Sequence, residues 1–142
     1  MATHTATIQR DGNVAAGALI AVSNNGAQIV LMCSLPDDFA ALLRVIRQGC
    51  TDVGAAEIHG AAAGFQSLKA MLKAGYLIAG DAHSLALTLG CSDAAAQAIL
   101  DEQTTNAHGD NWAAFAAHMG KVHPGPVAIP VHLPVGAAQS LY

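Results

Sequence analysis

"AGALIAVSNNGAQIVLMCS", residues 16–34, places two runs of aliphatic and small residues on either side of Asn24, Asn25 and Gly26. Asn-Gly is a strong hairpin signal because both residues tolerate the positive φ that tight turns between antiparallel strands require. The preceding "THTATIQ", residues 3–9, alternates weakly between polar and apolar residues. The sequence therefore predicts an antiparallel β-hairpin or small sheet at the N-terminus.

A helix is expected directly after this hairpin, in "SLPDDFAALLRVIRQG", residues 34–49. Ser34 is a candidate N-cap, Pro36 suits the first turn, and the acidic residues that follow favour the positive end of a helix dipole. Gly49 is expected to end the helix. The large apolar residues recur at helical spacing, at Phe39, Leu42, Leu43 and Ile46.

The middle of the chain is expected to be mainly helical. Residues 60–76 predict a helix whose first turn consists only of glycine and alanine, and residues 92–108 predict another with Ser92 as its cap. Residues 83–90 fit either a strand or a short buried helix, because the leucines alternate. Residues 109–120 predict a further helix.

The tail, "VHPGPVAIPVHLPVG" at residues 122–136, combines prolines of one parity with aliphatic residues of the other. Because alternate residues of a strand turn to opposite faces and edges, this pattern predicts a strand with one apolar face and one edge without donors. Such an edge strand or arm could pack on its own sheet or reach a neighbouring subunit, and both remain open. The candidate interface residues are Val127, Ile129, Val131, Leu133 and Val135.

The predicted fold class is α+β: an N-terminal antiparallel β-hairpin or small sheet, a helical middle, and a C-terminal proline-punctuated edge strand or arm. All 142 residues are expected to form a single globular domain, in which residues 122–142 could extend as an arm.

Charged residues are scarce, which favours self-association. They make up 11% of the chain, against about 25% in an average domain. A surface with so few charges must carry small and neutral polar groups or be buried against another chain, either a copy or another protein subunit. The net charge of −4 argues against a nucleic-acid partner, which needs clustered Lys and Arg.

The expected location is the cytoplasm or another reducing compartment. The first residues, "MATHTATIQRDG", do not resemble a signal peptide, and no apolar run reaches the roughly 20 residues of a membrane span. The three cysteines are odd in number and form no CxxC pair, so we expect free thiols rather than disulfides.

Cys33 is a candidate nucleophile because it lies between a predicted strand and the N-terminus of a predicted helix, which stabilises thiolates. His59 or His83 could act as its base, and Asp81 lies two residues from His83. The alternative is that Cys33 is a small packing residue. Whether the protein is an enzyme remains open.

A metal site is a second chemical hypothesis, since the chain has seven histidines. His108 and Asp110 lie two residues apart, and His118 and His123 flank a predicted helix end. No HxxxH pair occurs, so these four candidate ligands could equally be polar surface groups. The sequence requires no cofactor.

"ALTLGCSDAAAQAILDE", residues 86–102, resembles the core of a helix-turn-helix motif. Small or apolar residues and a glycine turn occupy the expected positions, at Ala86, Leu89, Gly90, Ser92, Ala95 and Ile99. The resemblance implies a DNA-binding regulator. However, no Lys or Arg occurs between Lys73 and Lys121 to contact phosphates.

The sequence therefore supports three functional hypotheses. The preferred one is a homo-oligomeric structural or interaction module, which could be a subunit of a larger protein assembly. The alternative is a small enzyme or ligand-binding protein with a His/Asp or Cys/His site in a pocket between subunits. The third is a helix-turn-helix regulator.

Overall fold

In a computed structural model, the described residues are 2–24, 26–108 and 128–135; side chains are not described for Phe65 and residues 104–108. Six strands and four helices lie within these ranges. In chain order they are β1 (Ala2–Arg10), β2 (Asn13–Ser23), β3 (Gly26–Ser34), α1 (Pro36–Asp52), β4 (Ile58–Ala62), α2 (Phe65–Lys73), β5 (Leu77–Ile78), α3 (Ala82–Leu89), α4 (Asp93–His108) and β6 (Ile129–Leu133).

The strands form one sheet in the order β1-β2-β3-β4-β6-β5. The first three strands pair antiparallel through two hairpins, and β3 pairs with β4 in parallel. The α+β class is confirmed, with the predicted N-terminal hairpins, helical middle and C-terminal strand. Among the helices in the described ranges, none is long and apolar enough to cross a membrane.

The chain folds into two compact units. The first comprises the described residues up to Gly60 and those from His132 onward, and the second comprises those from Ala61 to Val131. The expectation of a single domain over the whole chain stays a prediction.

In the first unit, α1 packs on one face of β1, β2 and β3. The strand residues on this face are mostly alanines, whose short side chains let the helix approach closely. The buried strand residues are Ala6, Ala16, Ala18, Ile20, Ala27 and Ile29, and the buried apolar residues of α1 are Leu42, Leu43, Ile46 and Cys50. Three residues of the predicted apolar stripe are therefore buried, and the fourth, Phe39, is half-buried.

The start and end of α1 differ from the prediction. Leu35, not Ser34, is the N-cap residue, and the Ser34 hydroxyl donates to the Leu35 carbonyl oxygen instead of capping. Pro36 occupies the first turn as expected. The helix passes through Gly49 and ends at Asp52, since helical φ and ψ are open to glycine as well.

A buried carboxylate ties the start of α1 to the end of β1. The Arg10 guanidinium donates to Oδ1 of Asp38, whose side chain is only 2% exposed. Among the described residues, Oδ2 of Asp38 is buried without a hydrogen-bond partner. Burying the Asp38 carboxylate costs solvation free energy, which offsets much of what its ion pair with Arg10 contributes to stability. Moving α1 away from β1 would leave the buried carboxylate unpaired, so the ion pair favours one position of the helix.

The glycine- and alanine-rich segment 60–64 was expected to begin a helix, and this expectation is wrong. Residues Ile58–Ala62 form β4, and α2 begins only at Phe65. Gly60 packs against Ile29 of β3, and a Cβ at Gly60 would lie 3.2 Å from Cδ1 of Ile29. The small residues thus serve close packing within the sheet rather than helix-to-helix contact.

In the second unit, residues 83–89 are helical and belong to α3, which is followed by a turn and α4. Gly90 has φ 71° and ends α3 in the left-handed conformation. Ser92 caps α4 as predicted, since its Oγ accepts from the backbone N–H of Ala95 at 3.1 Å. The buried residues include Leu68, Met71, Leu72, Leu85, Leu89, Ala96 and Ile99.

The tail strand β6 lies between β4 and β5, which differs from the predicted edge position. The Pro130 carbonyl accepts from the N–H of Ala79, just beyond β5, at 2.9 Å. Because proline has no N–H, Pro130 cannot donate a hydrogen bond on the side of β6 that faces β5. This suits β5, which is only two residues long. Four of the candidate interface residues are buried within the chain itself: Ile129, Val131, Leu133 and Val135. The fifth, Val127, lies outside the described residues.

Alanine at position 26 should destabilise the fold, whereas alanine at position 49 should stabilise it. Gly26 has φ 134°, and a Cβ there would lie 2.8 Å from the Glu57 carbonyl oxygen, whereas no described atom lies within 4 Å of a Cβ at Gly49. We expect Gly26→Ala to cost about 2 kcal/mol of unfolding free energy, and Gly49→Ala, in α1, to add roughly 0.5–1 kcal/mol. Urea unfolding measures both, and equal effects would contradict this description of the hairpin.

Substitutions at two neighbouring residues of β6 test whether the apolar face of this strand packs within its own chain. Val131 is 1% exposed, whereas His132 is half-buried on the opposite face. We expect Val131→Lys to destabilise the fold by at least about 3 kcal/mol, because it buries an unpaired charge, and His132→Lys to change stability little. Circular dichroism melting and native mass spectrometry provide the readout. Folded monomers from Val131→Lys would instead identify an exchanged arm.

Candidate functional site

The two faces of the β1-β2-β3 sheet differ sharply in what covers them. Residues on the face opposite α1 pair across the strands in two rows, Thr5–Leu19–Leu31 and Thr7–Gly17–Cys33. We call these six residues the open face. It contains a concavity of about 350 Å³, whose lining also includes Val14. Because Gly17 has no side chain, the space above its backbone stays unfilled and deepens the concavity.

The open face carries no charged side chain, and large aliphatic side chains are exposed on it or beside it. Leu31 is 64% exposed and Val14 63%, although both are large aliphatic residues. A β-bulge between Leu19 and Ile20 places Leu31 opposite Leu19, so that both side chains lie on the open face while Ile29 lies on the buried one. Large contiguous apolar patches on protein surfaces are typical of contact sites.

Cys33, the predicted nucleophile, lies on the open face and is exposed. This face is the one that α1 does not cover. Within the described part of the chain, no hydrogen bond joins Cys33 to a histidine. Its proposed activation stays a prediction that this geometry does not support.

His59, one of the two candidate bases, belongs to a polar group at the end of the open face. Its Nε2 lies 3.1 Å from Oε2 of Glu57, and both side chains are nearly half exposed. The His132 ring stacks on the His59 ring with centroids 6.4 Å apart and an interplanar angle of 19°. Gln28 is the register partner of His59 in β3. Glu57 and His132 were not singled out from the sequence, although Glu-x-His spacing puts two side chains near one another on an extended segment.

His83 and Asp81, in the second unit, do not bond to each other. Oδ1 of Asp81 caps α3 by accepting from the N–H of Ser84 at 2.8 Å, while Nδ1 of His83 lies 3.2 Å from Oδ2 of Asp93. The Ser84 backbone hydrogen bond is the main cause that lowers the pKa of Asp81, and the nearby His83 contributes to the same direction. These exposed groups serve the turns at the ends of α3.

The predicted metal ligands cannot be placed by side chain. His108 ends α4, but its side chain is not described, and Asp110, His118 and His123 lie outside the described residues altogether. Across residues 2–24, 26–108 and 128–135, no group of three or more His, Cys, Asp or Glu side chains is arranged to hold a metal ion. The three cysteines are free, with Cys50 buried, and burial raises the pKa of its thiol.

No model of a protein family, no curated protein and no solved structure matches the chain. Its surfaces are therefore interpreted from their own geometry.

Replacing Asp81 by alanine should produce a pH-dependent loss of stability. A carboxyl group whose pKa is lower in the folded state stabilises the fold above its unfolded pKa of about 3.9 and loses that contribution as the pH falls through the folded value. We therefore expect Asp81→Ala to lower Tm at pH 7, because it removes the α3 cap, and to approach the parent Tm under acidic conditions. Asp101→Ala, on α4, is the control; a pH-independent difference for Asp81→Ala would contradict the capping role.

Proposed function

We propose that the protein is a homo-oligomeric structural or interaction module that assembles through the open face. The observation that carries this proposal is the exposure of Leu31 on a sheet face whose six residues include no charged side chain. Burying a leucine side chain contributes about 2 kcal/mol. A second chain that covered this face would recover that free energy.

The occupant that fits best is a second copy of the chain. The chain carries a net charge of −4, so a contact between two copies is opposed least by charge repulsion where the two meeting surfaces carry no charge. The open face is such a surface. Its threonine and leucine side chains, with the space left above Gly17, can pack against a second copy about a two-fold axis, which gives an isologous contact with each Leu31 buried.

The tail is a less suitable surface than the open face for contact between two copies of the chain. The described aliphatic residues of β6 already lie in the interior of the chain, and so no second chain is needed to bury them. The open face, by contrast, leaves Leu31 exposed among the described residues. The proposal therefore keeps the predicted self-association and moves it to another surface.

Leu31→Lys tests the proposal by native mass spectrometry and analytical ultracentrifugation of the full chain. Two lost leucine contacts of about 2 kcal/mol each in a two-fold dimer should raise the dissociation constant by roughly three orders of magnitude. The substituted side chain is exposed in the single chain, so Tm at low protein concentration should change little.

Leu87→Lys is the matched control, because Leu87 of α3 is 72% exposed and lies outside the open face. It should leave the oligomer intact. A parent protein that stays monomeric at high micromolar concentration would overturn the proposal, as would equal dissociation by both variants. Slower maleimide modification of Cys33 in the oligomer than in Leu31→Lys would provide independent support.

A further inference from the structure

A second cavity, of about 270 Å³, lies within the first unit, between β1, β2 and the C-terminal half of α1. It shares only Thr5 with the open face, and α1, which packs on the other face of the sheet, supplies five of its eleven lining residues. The space arises where Ala6 of β1 and Gly49 of α1, both small, line the same gap. Because a 150 Å³ apolar cavity accommodates benzene, this volume suits a ligand of about ten non-hydrogen atoms.

The interior of this cavity is apolar. Ile20, Ile46 and Cys50 line it and are almost fully buried. Burial raises the pKa of the Cys50 thiol, so that the thiol stays neutral under ordinary conditions and contributes to an uncharged floor. Val45 and Val53 also line the cavity and are 37% and 47% exposed, which leaves large aliphatic surface at its walls for a ligand to cover.

The mouth of the cavity carries negative charge. Asp52, the last residue of α1, lines it beside His4. The C-terminal end of a helix is the negative end of its dipole, and the last turn of α1 contains no basic residue. Within the described residues, no Lys, Arg or His nitrogen comes within 4.0 Å of the Asp52 carboxylate, whose side-chain partner is Gln48 at 2.9 Å.

We infer that this cavity binds a small apolar amine, with the hydrocarbon part between α1 and the sheet and the ammonium group at Asp52. The carboxylate keeps acceptor sites beyond the one used by Gln48. An ammonium group placed there gains a charge-assisted hydrogen bond and the helix dipole. A carboxylate or phosphate ligand would meet repulsion at the same place, so the site selects for cations.

Phenethylamine is the probe, and phenethyl alcohol and phenylacetate are its neutral and anionic counterparts of similar size. Titration of the full chain followed by NMR chemical shifts should show changes at Ala6, Ile46 and Cys50. We expect phenethylamine to bind roughly three- to fivefold more tightly than the alcohol, which is the range for a partly solvated charge pair. Phenylacetate should bind most weakly.

Two variants assign the binding to this cavity. Asp52→Asn should remove the preference for the amine over the alcohol, and Gly49→Leu should abolish binding of both by filling the space. Asp101→Asn is the control for the first, since Asp101 accepts from Gln97 at 2.8 Å in the same i,i+4 arrangement but does not line the cavity. Circular dichroism establishes that each variant is folded.

Equal affinity for the amine and the alcohol, or an unchanged preference in Asp52→Asn, would overturn the inference. So would the absence of any shift at the cavity residues with millimolar phenethylamine. If Gly49→Leu does not fold, Asp52→Asn and its control still decide the result, because both substitutions are on exposed side chains.

Discussion

The packing of α1 against an alanine-lined sheet face is the constraint on which the first unit depends. Ala16 and Ala18 of β2 are buried on this face, as are Leu42 and Ile46 of the helix, and short alanine side chains let a helix approach a sheet closely. The ion pair between Arg10 and the buried carboxylate of Asp38 adds a directional contact at one end of this layer. Shifting the helix would separate a buried carboxylate from the guanidinium that donates to it, which is why the ion pair contributes to specificity of position.

Both proposed binding surfaces follow from this packing. A single helix covers one side of the three N-terminal strands, and Leu31 therefore stays exposed on the other side. On the covered side, a gap remains where Ala6 and Gly49 line the same space. An uncharged sheet face and an apolar cavity with an acidic mouth thus arise from one layer, and they suit different partners.

Local sequence signals predicted the elements with strong periodicity or a clear cap. The hairpin after Ser23, the stripe of α1 and the Ser92 cap of α4 each depend on neighbours within a few residues. Segment 58–62 was missed because glycine and alanine show no apolar periodicity and are compatible with helix and strand alike. Of the candidate site, Cys33 and His59 were recognised by residue type, whereas no local signal pairs His59 with His132, which lies far away along the chain.

The amino-acid sequence by itself determined the α+β class, the hairpin, the amphipathic helix and the alternation that makes Val131 and its neighbours apolar on one side. Only the tertiary structure decided that β6 lies inside the sheet, that the bulge at Leu19 turns Leu31 to the open face, and that Asp52 stands beside an apolar cavity. The physical reason is the separation along the chain over which each kind of interaction acts. Helix and turn preferences are settled by adjacent residues, whereas strand order, bulge position and cavity shape depend on pairing and packing between residues far apart in the chain.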